Sequence, residues 1–245
     1  MKFQLTIAAA ALALVPSAAF AEEGAETTGA YIGVHVGLAS MSDANIQYYD
    51  AGGTFGGTGA TDTADGTIDL KNAVTFGGVL GYDFGSVRAD VEIDYAKHSI
   101  NSLTVNALNG TAVTLTPTDR SDICTYLDAT VCGGSGNTFV ITGSRARTLT
   151  AMGNLWVDLP MGGVTPYVGG GIGITGFEVD GEGKGKFAWQ LGAGVGFKLG
   201  DKMVLSLDFR HREVGATQVE FDGSSGYRIG KLKSNTLSAG LRVVF

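Results

Sequence analysis

Little of this chain is charged, and less of it can be cross-linked. Asp, Glu, Lys and Arg make up 17% of the 245 residues, with only two cysteines and four prolines. Two cysteines exclude a disulfide-dense scaffold, a four-cysteine zinc site and a cluster site. Acidic residues outnumber basic ones, the formal net charge is −7, and no basic block occurs. Nucleic acid is therefore not an expected partner, because phosphate neutralisation supplies most of that affinity. No run reaches 18 consecutive apolar residues, so a helical membrane span is not expected. Apolar stripes of helical period are missing as well. Glycine, by contrast, is abundant: 39 residues, about twice the usual share. Without a Gly-X-Y period and with so little proline, collagen is excluded. A hydrophobic content of 44% argues against Gly-rich disorder. The glycines must serve ordered structure.

Residues 1–21 (MKFQLTIAAAALALVPSAAFA) have the form of a secretory signal peptide. Lys2 supplies the positive start, Leu5 to Val15 the apolar core, and Ala19-Phe20-Ala21 the small-x-small site expected to be cleaved after Ala21. The apolar core is too short to cross a bilayer as a helix, which needs ~20 residues. Its removal takes away Lys2 and no acid, moving the net charge from −7 to −8. Residues 22–28 read as a short lead, and residues 29–245 as one folded domain.

Across that domain, eight segments alternate apolar and polar residues with a period of two, the pattern of a β-strand with unlike faces. Residues 87–95 (VRADVEIDY) show it most clearly: Val87, Ala89, Val91, Ile93 and Tyr95 against Arg88, Asp90, Glu92 and Asp94. The connections alternate in length. Tight turns lie at Gly85-Ser86, at 160–163 and at 200–202, whereas long gaps begin near Ser40, Lys97, Gly176 and Arg212. An even number of strands with short turns at one end and long loops at the other is the outer-membrane barrel arrangement.

The composition of the two faces separates this from a soluble barrel with an apolar interior. One face is aliphatic and aromatic. The other carries Gly, Ser and Thr together with Arg88, Lys198, Arg210 and Arg242 against Asp90, Glu92, Asp94, Asp158 and Asp208. A basic residue facing lipid at midplane costs ~2–4 kcal/mol, so this face belongs inside, where the charges can pair. Val79, Met152 and Trp156 also fall on the polar side and are read only as lumen filling. The glycines then acquire a purpose. An eight-stranded barrel is just wide enough for its own side chains, and Gly169, Gly171, Gly173, Gly192, Gly194 and Gly196 leave room for the longer ones. Tyr82, Phe84, Tyr95, Phe187 and Trp189, near strand ends, suit interfacial girdles.

The segments VRADVEIDY (87–95), TPYVGGGIGI (165–174), WQLGAGVGFKL (189–199) and LSAGLRVVF (237–245) carry a family resemblance. The chain resembles the small Gram-negative outer-membrane β-barrel proteins of the opacity and surface-antigen type, and is similar to the transmembrane barrel of outer-membrane protein A. The resemblance implies an eight-stranded antiparallel transmembrane β-barrel with short periplasmic turns and long extracellular loops. It also implies that Phe245, ending an amphipathic strand, is the signal read by the barrel-assembly machinery. Members share walls and differ in loops, so it names no ligand.

No candidate chemistry rivals this reading. Cys124 and Cys132, in the longest loop of an exported chain, are expected to form a disulfide. Asp90, Glu92 and Asp94 share a face and could suit calcium, but pairing with luminal arginines is preferred, and no metal or cofactor is expected. A lipid A-modifying barrel enzyme would want His and Ser two apart on an outward face, and none occurs. The expected role is structural or surface-interacting through the loops, with the lumen closed by salt bridges. A small porin-like channel is the alternative, and a lipid A-modifying enzyme less favoured. Expected partners are outer-membrane lipids, the barrel-assembly machinery and a host or environmental surface ligand, with the protein a monomer.

Overall fold

A computed structural model describes residues 28–52, 61–126, 133–141, 143–179, 182–220 and 223–245. The expected signal peptide, its cleavage site at Ala21 and Cys132 lie outside these residues. In chain order the elements are β1 (Gly29–Met41), β2 (Ala44–Asp50), β3 (Asp62–Leu70), β4 (Ala73–Asp83), β5 (Val87–Leu108) and β6 (Thr111–Ala112). They continue with α1 (Pro117–Tyr126), β7 (Thr138–Val140), β8 (Arg145–Asp158), β9 (Val164–Val179) and β10 (Glu182–Lys198). The last four are β11 (Met203–Val214), β12 (Thr217–Glu220), β13 (Ser225–Ile229) and β14 (Leu232–Val244).

Eight of these strands close a ring in the order β1-β4-β5-β8-β9-β10-β11-β14, with β14 returning to β1 and every pairing antiparallel. They correspond to the eight alternating segments of the sequence. Burial alternates strictly along β8, from exposed Arg145 to buried Asp158. The usual partition of residue types is inverted. Leu38, Leu80, Leu155 and Ile172 stand outside, each more than 60% exposed, whereas Glu92, Gln190 and Thr150 are almost fully buried. An apolar exterior around a polar interior is the signature of a barrel solvated by lipid. At the β4–β5 turn, the Asp83 carboxylate accepts the Gly85 amide at 2.9 Å while Gly85 adopts φ +101°, a tight turn that needs glycine.

The long gaps differ from the plain loops expected of them. Strands β1, β5, β9 and β11 run past Ser40, Lys97, Gly176 and Arg212; β9 and β10 extend the barrel wall, whereas the segments beyond Ser40, Lys97 and Arg212 form a second sheet. Its strands follow the order β12-β13-β2-β3-β5, repeating the ring order β11-β14-β1-β4-β5 beneath it, because each loop strand continues a barrel strand. Two register shifts, at Asp65/Gly66 and Asp69/Leu70, re-aim β5 against β3, as β-bulges do. The helix α1 is likewise unannounced by any apolar stripe. Its start is nevertheless coded: Thr116 Oγ1 accepts the Asp119 amide while Asp119 Oδ2 accepts the Thr116 amide at 2.8 Å. That is a reciprocal capping box with Pro117 in the first turn.

Apolar packing inside the molecule concentrates at the extracellular end. Ala44, Leu70, Ile229 and Leu232 from the loop strands and β14 share a buried cluster with Ile100, Ala146, Met152, Ala188 and Val214 of the barrel wall. A second cluster, Val105, Leu115 and Phe139, fastens the α1 segment to β5. Arg120 secures the same segment, donating from Nη1 to the Thr138 carbonyl at 3.1 Å and lying over the Phe139 ring.

Candidate functional site

The luminal side chains are held by strands whose alternation turns every second residue inward. Along β5 this places Arg88, Asp90, Glu92 and Asp94 in one inward row, all buried. Opposite, four places round the ring, β11 contributes Asp208, Arg210 and Arg212. Arg210 reaches across to Glu92. Arg212 Nη2 contacts Glu92 Oε1 at 3.0 Å and Asp94 Oδ2 at 2.6 Å. His35 of β1 closes on Asp94 from the side. Asn154 donates to Glu92 at 3.1 Å and to Asp90 at 2.8 Å, and Gln190 donates to Asn154 at 2.7 Å.

Towards the periplasm the pattern continues. Arg88 forks onto Asp158 at 2.6 and 2.9 Å and lies 4.6 Å over the Tyr167 ring. Such bidentate pairs fix geometry as well as charge. Asp90 accepts Tyr31 at 2.7 Å and Trp156 Nε1 at 2.9 Å, while Tyr167 donates to Asp208. Arg242 sits 5.0 Å over the Tyr31 ring and 3.8 Å from Asp83.

Small residues opposite the large ones make this packing possible. A Cβ built on Gly194 would lie 2.6 Å from the Tyr167 ring, one on Gly169 2.6 Å from Trp156, and one on Gly171 would collide with Asn154. Trp156, placed by alternation on the polar side without an explanation, thus has one. It fills space above two glycines, donates to Asp90, and stands edge-on to Tyr167 with the Arg210 guanidinium 5.5 Å from its ring.

Of the nine charges expected inside, eight join these contacts; Lys198 is half-buried at the periplasmic end of β10. The expected end of the seventh strand left Arg212 in a loop, but β11 continues to Val214 and brings Arg212 in. Its signal was present, since it keeps the parity of Asp208 and Arg210. Asp83 also joins, on the parity of the second segment. His35, Glu92 and Asp94 bring one ligand atom each within 4.8 Å of one another. His35 is bonded to Asp94 itself, Glu92 accepts from Arg210, Arg212 and Asn154, and Asp94 accepts from Arg212, so each already has a partner. Cys124 lies on α1, and its expected partner Cys132 is outside the described residues. Phe245 is 70% exposed on the outer wall, its amide donating to Ala30 at 2.9 Å.

On the extracellular side, register aligns four polar residues across four strands of the loop sheet: Gln218, Arg228, Gln47 and Asp65. Gln47 joins two of its neighbours, donating to Asp65 at 2.8 Å and accepting from Arg228 Nη1 at 2.9 Å. On α1, the hydrogen bonds from Thr116 hold the Asp119 carboxyl below the usual carboxylate range.

A closed ring of eight antiparallel strands, polar within and apolar without, defines an outer-membrane β-barrel. The family model for the outer membrane protein beta-barrel domain matches residues 7–245, and the chain belongs to that family. Uncharacterised proteins of Brucella abortus strain 2308 and Brucella suis biovar 1 are 31% identical over 172 residues, covering 60% of this chain and 54% of theirs. The chain thus spans about half the length of the curated relatives it matches. Among solved structures, Neisserial surface protein A is similar at a TM-score of 0.49 and 14% identity, over 89% of this chain and 97% of that one. OprG from Pseudomonas aeruginosa follows at 0.48 and 13%, over 90% and 98%.

Proposed function

We propose that this protein is a closed outer-membrane barrel that acts through its extracellular loops as a structural or surface-interaction protein. The observation that carries the reading is the pairing of Arg210 and Arg212 on β11 with Glu92 and Asp94 on β5, strands that face each other across the ring. Charges that meet across the full width leave no continuous aqueous path between them. The apolar cluster at the extracellular end adds a second barrier. Between the network and the periplasm lies a cavity of ≈50 Å³, bordered by Tyr31, Asp90, Arg210 and Arg242. That is room for one or two waters, which would serve Arg210 Nε and Arg242 Nε, buried without protein partners.

The competing reading is a small channel for passive diffusion, and the polarity of the lumen favours it. An enzymatic role has less support. His35 is engaged with Asp94, His98 with the Lys71 carbonyl and His211 with Asn235, so no histidine addresses a serine among the described residues. Outer-membrane lipids and the barrel-assembly machinery complete the proposed partners. The closed ring offers no free barrel edge to a second copy, consistent with a monomer in the outer membrane after signal-peptide cleavage.

Proteoliposome swelling and whole-cell binding test the two halves of the proposal. Purified barrel should leave vesicles impermeable to arabinose. Cells in which residues 42–72 and 215–231 are each replaced by a short Gly-Ser turn should keep the folded barrel and lose binding to epithelial monolayers. Arabinose entry would reject the closed lumen, and unchanged binding would reject the loop role.

A further inference from the structure

Outside the lumen, one cavity stands apart. It measures ≈650 Å³ and lies on the polar side of the loop sheet, where Gln47, Asp65, Asn106, Gln218 and Arg228 meet Lys186 at the top of β10. That volume is within the range of small-molecule sites. The residues come from β2, β3, β5, β10, β12 and β13, so all but one of the four long loops contribute directly, and Lys186 borders the remaining one.

The lining is arranged in advance. Arg228 is stacked 4.6 Å over Tyr49, itself only 8% exposed, and hydrogen-bonded to Gln47. Gln218 is tied to the Tyr49 hydroxyl at 2.8 Å, and Asn106 to Thr67 at 2.9 Å. Arg228 is exposed and, among the described residues, donates from Nη1 to Gln47, leaving further N–H donors to offer. Lys186 forms no ion pair among the described residues. Two cations with donors to spare at one cavity call for an anionic group. Asp65 on the same wall and the net charge of −7 disfavour a polyanion. The three carboxamides each present a donor beside an acceptor, and the Asp65 carboxylate accepts, a set that matches vicinal hydroxyls.

We propose that this cavity binds a saccharide carrying a single carboxylate, with the acid group on Arg228 and Lys186 and ring hydroxyls on Asp65, Gln47, Gln218 and Asn106. The assignment rests on the surface-interaction reading and names its ligand class. Two sources supply such chemistry: glycans on surfaces outside the cell, and sugar acids in the core of the cell's own lipopolysaccharide.

The test uses the full-length barrel in lipopolysaccharide-free nanodiscs and the unsulfated disaccharide of glucuronic acid and N-acetylglucosamine, titrated by calorimetry and saturation-transfer NMR. The acid should bind about tenfold more tightly than its methyl ester, and Arg228→Gln or Lys186→Gln should each remove about that factor. Asp65→Asn should weaken acid and ester alike. Heat-modifiable mobility on gels confirms that each variant is folded. Displacement by lipopolysaccharide core oligosaccharide supports the site with a ligand from the same membrane. Binding that core oligosaccharide leaves untouched supports it with a glycan from outside. Equal binding of acid and ester, indifference to all three substitutions, or no binding at millimolar disaccharide overturns the assignment. If disaccharide binding is absent while loop-dependent cell binding persists, the saccharide is wrong and the surface role stands; loss of both rejects both.

Discussion

Replacing Glu92 by Gln keeps the shape of the side chain and removes the charge at the centre of the lumen. Glu92 is completely buried and accepts from Arg210, from Arg212 at 3.0 Å and from Asn154 at 3.1 Å. Removing one member of a buried ion pair costs about 3–5 kcal/mol, chiefly because the other charge is left uncompensated. Here Arg212 retains Asp94 at 2.6 Å and Arg210 retains Asp208 at 3.8 Å, which places the expected loss at the lower end, about 3 kcal/mol. Arg210→Met alone should also destabilise. The double variant should cost less than the two singles together, by ~1–3 kcal/mol. Urea unfolding in lipid vesicles, followed by tryptophan emission and by heat-modifiable gel mobility, measures all three. Trp156 reports locally, since the Arg210 guanidinium is 5.5 Å from its ring. A loss below about 1 kcal/mol for Glu92→Gln, the worth of an exposed pair, or strict additivity of the two changes, would refute the cross-lumen coupling.

Other consequences can be measured with the same preparation. Gly194→Ala, whose new Cβ would lie 2.6 Å from Tyr167, should destabilise by about 1–3 kcal/mol through overpacking. Gly153→Ala, whose Cβ meets nothing closer than 3.9 Å, should be neutral, and equal effects would remove the space-filling role of the luminal glycines. Because the Asp119 carboxyl is held below its ordinary range by Thr116, its support of α1 is complete above the unfolded carboxylate range. That support disappears as pH falls through the lowered value, so NMR shifts of the α1 amides should report helix loss in acid, and Asp119→Asn should abolish that pH dependence. Non-reducing mass mapping should find Cys124 joined to Cys132, and reduction should cost about 2–3 kcal/mol of local loop stability with the barrel transition unmoved. Phe245→Ser should lower outer-membrane yield in cells, and an unchanged yield would remove Phe245 as the assembly signal.

The wall of the barrel was legible because lipid imposes one simple rule: every second residue must be apolar, and the remainder fill a narrow interior. That rule alone placed Arg88, Asp90, Glu92, Asp94, Asp208 and Arg210 on one side of their strands. It could not pair them. Which residue meets which depends on strand tilt and stagger, so that Arg210 meets Glu92 across the ring while Arg88 meets Asp158 on the neighbouring strand. Arg212 escaped because β11 continues beyond the last clear alternation. The loop sheet escaped for a related reason. In β2, Asn45 is exposed but Ile46, Gln47 and Tyr48 are all half-buried, since both faces meet protein or water and neither meets lipid, and the period-two contrast fades. The Gln218–Arg228–Gln47–Asp65 row joins residues 47 to 228 through four strands, a coincidence of register that no local pattern carries. The capping box at Thr116 and Asp119 is a short-range pattern, but with no apolar stripe on α1 behind it, it does not announce a helix in the sequence.

Planar-bilayer recording of the purified wild-type barrel tests the closed lumen most directly. The pairing of Arg210 and Arg212 with Glu92 and Asp94, beneath the apolar cluster, predicts a silent membrane at moderate voltage, with conductance appearing only when the pairs are removed together, as in Glu92→Gln/Asp94→Asn/Arg210→Gln/Arg212→Gln. Stable, reproducible conductance steps from the wild-type protein would contradict it and make the polar lumen a pore.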